Sequence, residues 1–210
     1  MSFWPKKFRL ILPFLRFLEV AAQHNGQIIN ASKIGRDSGT DFSAILRYFE
    51  ILNDTLLGFY LEPYHRSVRK IQTSKAKFYF FDTGVKRALE GSFESLVVPQ
   101  TYAYGKAFEH ILISEVVRLK DYSRSEAKLY YLRTKDDLEI DLIIEKSKTE
   151  IWAVEFKSST NVDQSEIKKI VPLAKDLGAK KTVVVSRESK KRNLEDFEIW
   201  PWQDFLGEVF

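Results

Sequence analysis

Two short apolar runs, Leu138 to Ile144 and Ile151 to Phe156, flank a polar turn at Lys146 to Thr149, and charged residues are set inside them. Both runs are rich in β-branched and aromatic residues, so the stretch reads as strand, hairpin, strand. Side chains in a strand alternate between faces. Alternation predicts Glu139, Asp141, Ile143 and Glu145 on one face, with Ile140, Leu142 and Ile144 on the other. In the second strand Glu155 and Lys157 share a face, opposite Val154 and Phe156. If the hairpin pairs in register, two or three carboxylates and an ammonium converge on one side of a sheet. Carboxylates so close repel each other and are costly to desolvate. A divalent cation offsets both costs, and hard oxygen ligands suit Mg2+. A plainer reading stands beside this one. Glu155 and Lys157 then form an ion pair on a solvated sheet face, and Asp141 is an exposed strand residue. Glu139 is either an outer member of the cluster or a solvated side chain.

Upstream, GKAFEHILISEV reads as a helix whose Phe108, Ile111, Leu112 and Val116 form a buried stripe and which carries Glu109. An acid in one strand (Asp141), then Glu155-Phe156-Lys157 in the next, resembles the PD-(D/E)xK pattern of a large nuclease superfamily. Glu109 matches the glutamate that the superfamily usually adds from a preceding helix. The proline of the motif is absent, since Ile140 precedes Asp141.

The chain has 210 residues, enough for two small domains or one large one, and is 44% hydrophobic, so a sizeable core can form. No apolar run approaches the length needed to span a bilayer, and the start MSFWPKKF lacks the segments of a signal peptide. With no cysteine there are no disulfides or thiolate metal sites, in agreement with a cytoplasmic location. Three histidines, His24, His65 and His110, are poor material for a zinc cluster. Residues 1–98 carry 14 basic and 9 acidic side chains, a net +5, whereas residues 99–210 carry 19 and 20, a net −1. The basic half is therefore the expected contact with a polyanion.

In chain order, Pro13 opens a helix ending near Asn25-Gly26, and Asn30 caps a short second helix. Thr40 caps a third, with Phe42, Ile45, Leu46, Phe49 and Leu52 inward and Asp41, Ser43, Ala44, Arg47 and Tyr48 outward. Strands at Phe59 to Tyr64 and Lys77 to Phe81 enclose a loop with Arg66, Arg69, Lys70 and Lys75 and no acid. Three helices and a basic ribbon describe a winged helix-turn-helix over residues 1–90. Its nucleic-acid-binding candidates are Arg47, Arg66, Arg69, Lys70 and Lys75. Asp41 and Glu50 beside Arg47 are weak equipment for reading bases, so sequence-specific DNA binding, non-specific DNA contact and a protein-contacting role all stay open. Residues 91–104 read as a linker and 105–210 as the second domain. There the order α-β-β-β-α-β, with a helix at Ser165 to Leu177 and a buried strand at Thr182 to Val185, is that of the nuclease superfamily's mixed-sheet core.

Read whole, the chain from about Phe8 resembles the C-terminal region of a family of prokaryotic AAA-type ATPases. There a winged helix precedes a domain of unknown function related to the PD-(D/E)xK nucleases. The matching words are ILRYFEIL, GFYLEPY, KAKFYFFDTGVKRAL, FEHILISEV, YYLRTKDDLEIDLII and AVEFKSS. No GxxxxGK[ST] loop occurs, so this stretch does not hold ATP in that way. The resemblance implies an α/β (α+β) fold: a winged helix-turn-helix, then a restriction-endonuclease-like mixed-sheet domain. It further implies Mg2+-dependent (or Mn2+-dependent) endonucleolytic hydrolysis of phosphodiesters. Asp141 and Glu155 would bind the metal, helped by the Phe156 carbonyl. Lys157 would position the water or the phosphate. Glu109 would bind the metal through water, ligate a second ion or orient Lys157. The alternative is a catalytically inactive module that contacts DNA or protein and works with an AAA-type ATPase; a homo-oligomer is compatible with either, and no membrane is involved.

Overall fold

The computed structural model of the chain describes residues 6–64 and 75–210. They fall into two compact units, residues 6–60 with 76–96, and residues 61–64 and 75 with 97–210. No helix among the described residues is long and apolar enough to cross a membrane.

The first unit begins with α1 (Lys6–Gln23), which carries Pro13 inside it. The expectation that Pro13 opens the helix is thus corrected. Phe17, Ala21 and Ala22 bury one face of α1 in the core, and this packing outweighs the hydrogen bond a proline cannot donate. In α2 (Ala31–Ser38) Asn30 Oδ1 accepts from Lys33 N–H at 3.0 Å, and Gly39 closes the helix at φ 67°. Asp41, not Thr40, caps α3 (Phe42–Asp54), accepting from Ala44 N–H at 2.9 Å. The buried face also differs from the expected one. Ala44, Ile45, Phe49 and Leu52 are buried, whereas Phe42 is 54% and Leu46 40% exposed. Phe17 meets Phe49 edge-on at 4.9 Å. The strands β1 (Gly58–Pro63) and β2 (Lys77–Phe80) are neighbours, and Asp82 caps α4 (Thr83–Leu89). Gly58 is required where it stands, since a Cβ there would fall 2.3 Å from the Phe78 ring and 2.6 Å from the Tyr79 carbonyl oxygen.

The second unit contains α5 (Tyr102–Tyr122), β3 (Lys128–Arg133), β4 (Glu139–Ser147), β5 (Glu150–Lys157), α6 (Gln164–Ile167), α7 (Val171–Asp176), β6 (Lys181–Ser186), β7 (Arg192–Asn193), β8 (Glu198–Pro201) and α8 (Trp202–Glu208). Its sheet is mixed. The end of β1 joins it, with Glu62 and Pro63 parallel to Tyr130 and Tyr131 of β3. Beyond β3 come β4, β5, β6, β8 and β7. The pairs β3–β4, β4–β5 and β7–β8 are antiparallel, and β5–β6 and β6–β8 parallel. The single helix expected over Ser165 to Leu177 is broken in two, because Pro172 at the start of α7 cannot donate into a preceding turn. One sheet face packs Ile143, Ile151, Ala153, Val184 and Ile199 against Ile167, Ile170, Leu173 and Ala174 from α6, α7 and the turn between them. On the opposite face Phe156 meets Phe205 of α8 and Trp152 meets Trp200.

The register of β4 departs from simple alternation. Tyr130 pairs with Ile143, but Leu132 pairs with Ile140, so three steps on β4 face two on β3. The extra residue is a β-bulge within Ile140 to Ile143, and both of those isoleucines pack into the same core cluster. The expectation that Glu139, Asp141, Ile143 and Glu145 share one face therefore fails at the bulge. Asp141 sits within it, where the local twist re-aims its side chain.

Candidate functional site

The functional side chains gather where β4 and β5 run past their last regular pair, Leu142 with Val154. Asp141 Oδ2 accepts from Phe156 N–H at 2.9 Å. The bulge thus turns this carboxylate onto the backbone between Glu155 and Lys157. Lys157 Nζ lies 3.2 Å from Glu155 Oε1 and 3.3 Å from Glu166 Oε2 on α6. The other oxygen of Glu155, Oε2, is buried and has no hydrogen-bond partner. An orphaned buried carboxylate oxygen is costly, and costs of this kind concentrate at sites built to receive something.

Helix α5 supplies the third acid. Its buried stripe is Glu109, Leu112, Ile113 and Val116, not the expected Phe108, Ile111, Leu112 and Val116; Ile111 is exposed. Apolar residues lie nearly all round this helix, so the sequence did not single out the inward face. Glu109 occupies a core position at 6% exposure, with Lys106 Nζ 2.8 Å from its Oε2. Glu109 and Lys106 are one helical turn apart and face the same way.

The charges of these groups act on one another. Burial pushes the Glu155 carboxyl above the usual range; Lys157 pulls it back, and Glu109 and Glu139 push it up again. Burial alone would lower the Lys157 ammonium, but Glu155, then Glu166 and Asp141, outweigh it and raise the group. Lys106 behaves alike: burial opposes its charge, and Glu109 and Asp141 more than restore it. Glu109, Asp141, Glu155 and Lys157 therefore lie within one electrostatic neighbourhood, joined by Lys106 and Glu166, which the sequence reading missed. The i, i+3 spacing of Lys106 and Glu109 was the available signal for the first. Glu139 is held 3.5 Å from Arg133 Nη1.

Among the described residues no three carboxylate or imidazole groups are gathered closely enough to hold a metal ion by themselves. The donor chemistry nonetheless fits a hard cation at Asp141 and Glu155. Two carboxylates of different strands and a backbone carbonyl at Phe156 are hard oxygen donors, and one of those oxygens is orphaned. Mg2+ is commonly held by one or two carboxylates while keeping several waters. Glu109 is engaged by Lys106, which suits an indirect role better than direct ligation.

The nucleic-acid-binding candidates fall elsewhere. Arg47 is exposed on α3 of the first unit. Lys75 is exposed, and its carbonyl accepts from the Tyr131 hydroxyl. Arg66, Arg69 and Lys70 lie outside the described residues.

Comparison with known proteins finds two family matches along the chain. Residues 104–205 match a family described as "Domain of unknown function (DUF4143)". Residues 6–96 match a second, described as "Domain of unknown function (DUF8612)". Uncharacterized proteins of Mycobacterium bovis and Mycobacterium tuberculosis are each similar at 28% identity over 126 residues, or 60% of this chain. The matched stretch spans only 28% of the length of each of these relatives. No solved structure matches the chain.

Proposed function

We propose that the second unit is a metal-dependent phosphodiester hydrolase of the PD-(D/E)xK type and that the first is a winged helix-turn-helix serving it. The observation that carries this reading is the hydrogen bond from Phe156 N–H to Asp141, which sets the β4 acid beside Glu155 and Lys157. An exposed strand residue would not fold back onto the neighbouring backbone, and a solvated ion pair would not bury Glu155. The mixed sheet and the order of α5, β3, β4, β5, α6 and β6 are also those the resemblance implies.

In this reading Asp141, Glu155 and the Phe156 carbonyl would hold the cation. Mg2+ held there would supply a more acidic water and offset charge on the phosphoryl oxygens. Lys157, held by Glu155 and Glu166, orients the attacking water or the phosphate through its ammonium. Glu109 fixes Lys106 near Asp141 and keeps a second cation available to the developing charge. The test is cleavage of plasmid and linear DNA in Mg2+ or Mn2+. Asp141→Ala or Lys157→Ala is expected to abolish cleavage while DNA affinity stays within a few-fold. Equal cleavage by wild type and Asp141→Ala would refute the assignment.

A second reading has its own support. Phe42 and Leu46 are exposed on α3, the helix a winged helix would present to DNA. Large exposed apolar side chains beside Asp41 and Glu50 suit a protein surface better than a phosphate backbone. The unit then docks on a protein partner, and the resemblance suggests an AAA-type ATPase module, either in the same longer protein or on another chain. Binding that barely changes with salt would favour this reading, whereas a steep fall with salt favours DNA.

A further inference from the structure

We infer that Arg187, stacked on Tyr104, grips a backbone phosphate about three nucleotides from the one attacked, so that nucleic acid crosses the strand ends from β4 to β6; the inference rests on the hydrolase reading. Lys157 is paired with Ser186 across β5 and β6, so the residue after Ser186 leaves the sheet at the same end as the carboxylates. Arg187 N–H donates to the Ser159 carbonyl at 3.0 Å, which ties the two strand exits together. Its guanidinium carbon lies 5.2 Å from the centre of the Tyr104 ring.

The pairing of cations with acids sets this arginine apart. Lys106 is held by Glu109, and Lys157 by Glu155 and Glu166. Arg192 is held by Glu188. Arg187 has an aromatic ring under it and no carboxylate within ion-pair distance among the described residues. Stacking leaves the edge of the guanidinium free. That edge is a planar fork of N–H donors, suited to bidentate contact with phosphate oxygens. An arginine kept only to stabilise the fold would be expected to spend those donors on the protein.

Three consecutive residues near the start of α5 each meet a group at these strand ends. Lys106 feels the charge of Asp141 on β4. Gly105 faces Ser158, whose Oγ would lie 3.7 Å from a Cβ built there. Tyr104 carries Arg187 after β6. From β4 to β6 is two strand spacings, about 10 Å. That is close to the axial rise of three nucleotides at about 3.4 Å each. A phosphate at Arg187 is thus about three nucleotides along the strand from the attacked one, and the contact governs binding and register, leaving the chemical step alone.

The test is fluorescence anisotropy of a fluorescein-labelled single-stranded DNA, in EDTA, across a salt series. Arg187→Gln is expected to weaken binding roughly three- to tenfold at ~0.15 M salt and to reduce the slope of log K against log[salt] by about 0.7. Arg187→Lys keeps the charge and should restore the slope. Tyr104→Leu removes the ring, and should weaken binding while Tm and the slope change little. An unchanged Kd and slope in Arg187→Gln, or no binding by wild type, would overturn the clamp. Cleavage in Mg2+ is scored separately. DNA cut by wild type with no effect of Arg187→Gln on binding removes the clamp and leaves the hydrolase. The expected loss of binding with no cleavage by wild type removes the hydrolase and leaves the clamp.

Discussion

Glu155 is the side chain on which folding and function make opposing demands. Its carboxyl is raised first by burial and then by Glu109 and Glu139, with Lys157 only partly compensating. A carboxyl raised in the fold contributes stability that is fully present below its unfolded value, about 4.3, and is lost as pH rises through the folded value. In EDTA at neutral pH, Glu155→Gln is therefore expected to be more stable than wild type in urea unfolding. The difference should shrink as pH falls toward 4, and saturating Mn2+ should reverse the order. A Glu155→Gln protein less stable than wild type at neutral pH in EDTA would mean that Lys157 outweighs the burial. Single residues of this site were partly legible in the sequence. Glu-any-Lys after an acid named Glu155, Lys157 and Asp141, because strand periodicity and residue type coincide there. Lys106, Glu166 and Arg187 were not seen. Lys106 had a signal in its i, i+3 spacing to Glu109, but Glu166 and Arg187 reach the site from other elements, and spacing along the chain carries little information on that.

At the scale of elements, strands were easier to read than faces. The hairpin of β4 (Glu139–Ser147) and β5 (Glu150–Lys157) lies close to the expected runs, with β4 continuing into the expected turn as far as Ser147. The bulge at Ile140 to Ile143 was invisible, because an inserted residue leaves no mark in composition. Helix faces failed where apolar residues spread round the axis, as in α5 and in α3, where Phe42 and Leu46 are exposed. The close contact at Gly58 gives a direct check on the first unit. A Cβ there meets the Phe78 ring and the Tyr79 carbonyl oxygen, one of which is backbone and cannot step aside. Gly58→Ala is expected to destabilise the chain by about 1–3 kcal/mol, the usual cost of overpacking. An unchanged urea midpoint would show that β1 and β2 are spaced more loosely than described.

Across the whole molecule, the second unit begins earlier in the chain than the linker at 91–104 suggested. Residues 61–64 and Lys75 group with it, because Glu62 and Pro63 pair with β3 and the Tyr131 hydroxyl donates to the Lys75 carbonyl. Burial raises the Tyr131 hydroxyl, so the fold holds it neutral. A fragment of residues 97–210 would bare the edge of β3, and bare edges invite pairing between chains. It is expected to self-associate as concentration rises and to melt below the second transition of the whole chain. A monomeric fragment melting at that transition would show that β1 is dispensable to this sheet. The site itself is tested most directly by calorimetry. Titrating Mn2+ into the metal-free chain should give saturable binding that Asp141→Asn and Glu155→Gln each remove while both variants remain folded. Heats in the two variants indistinguishable from wild type would contradict the claim that these carboxylates are gathered to hold a cation.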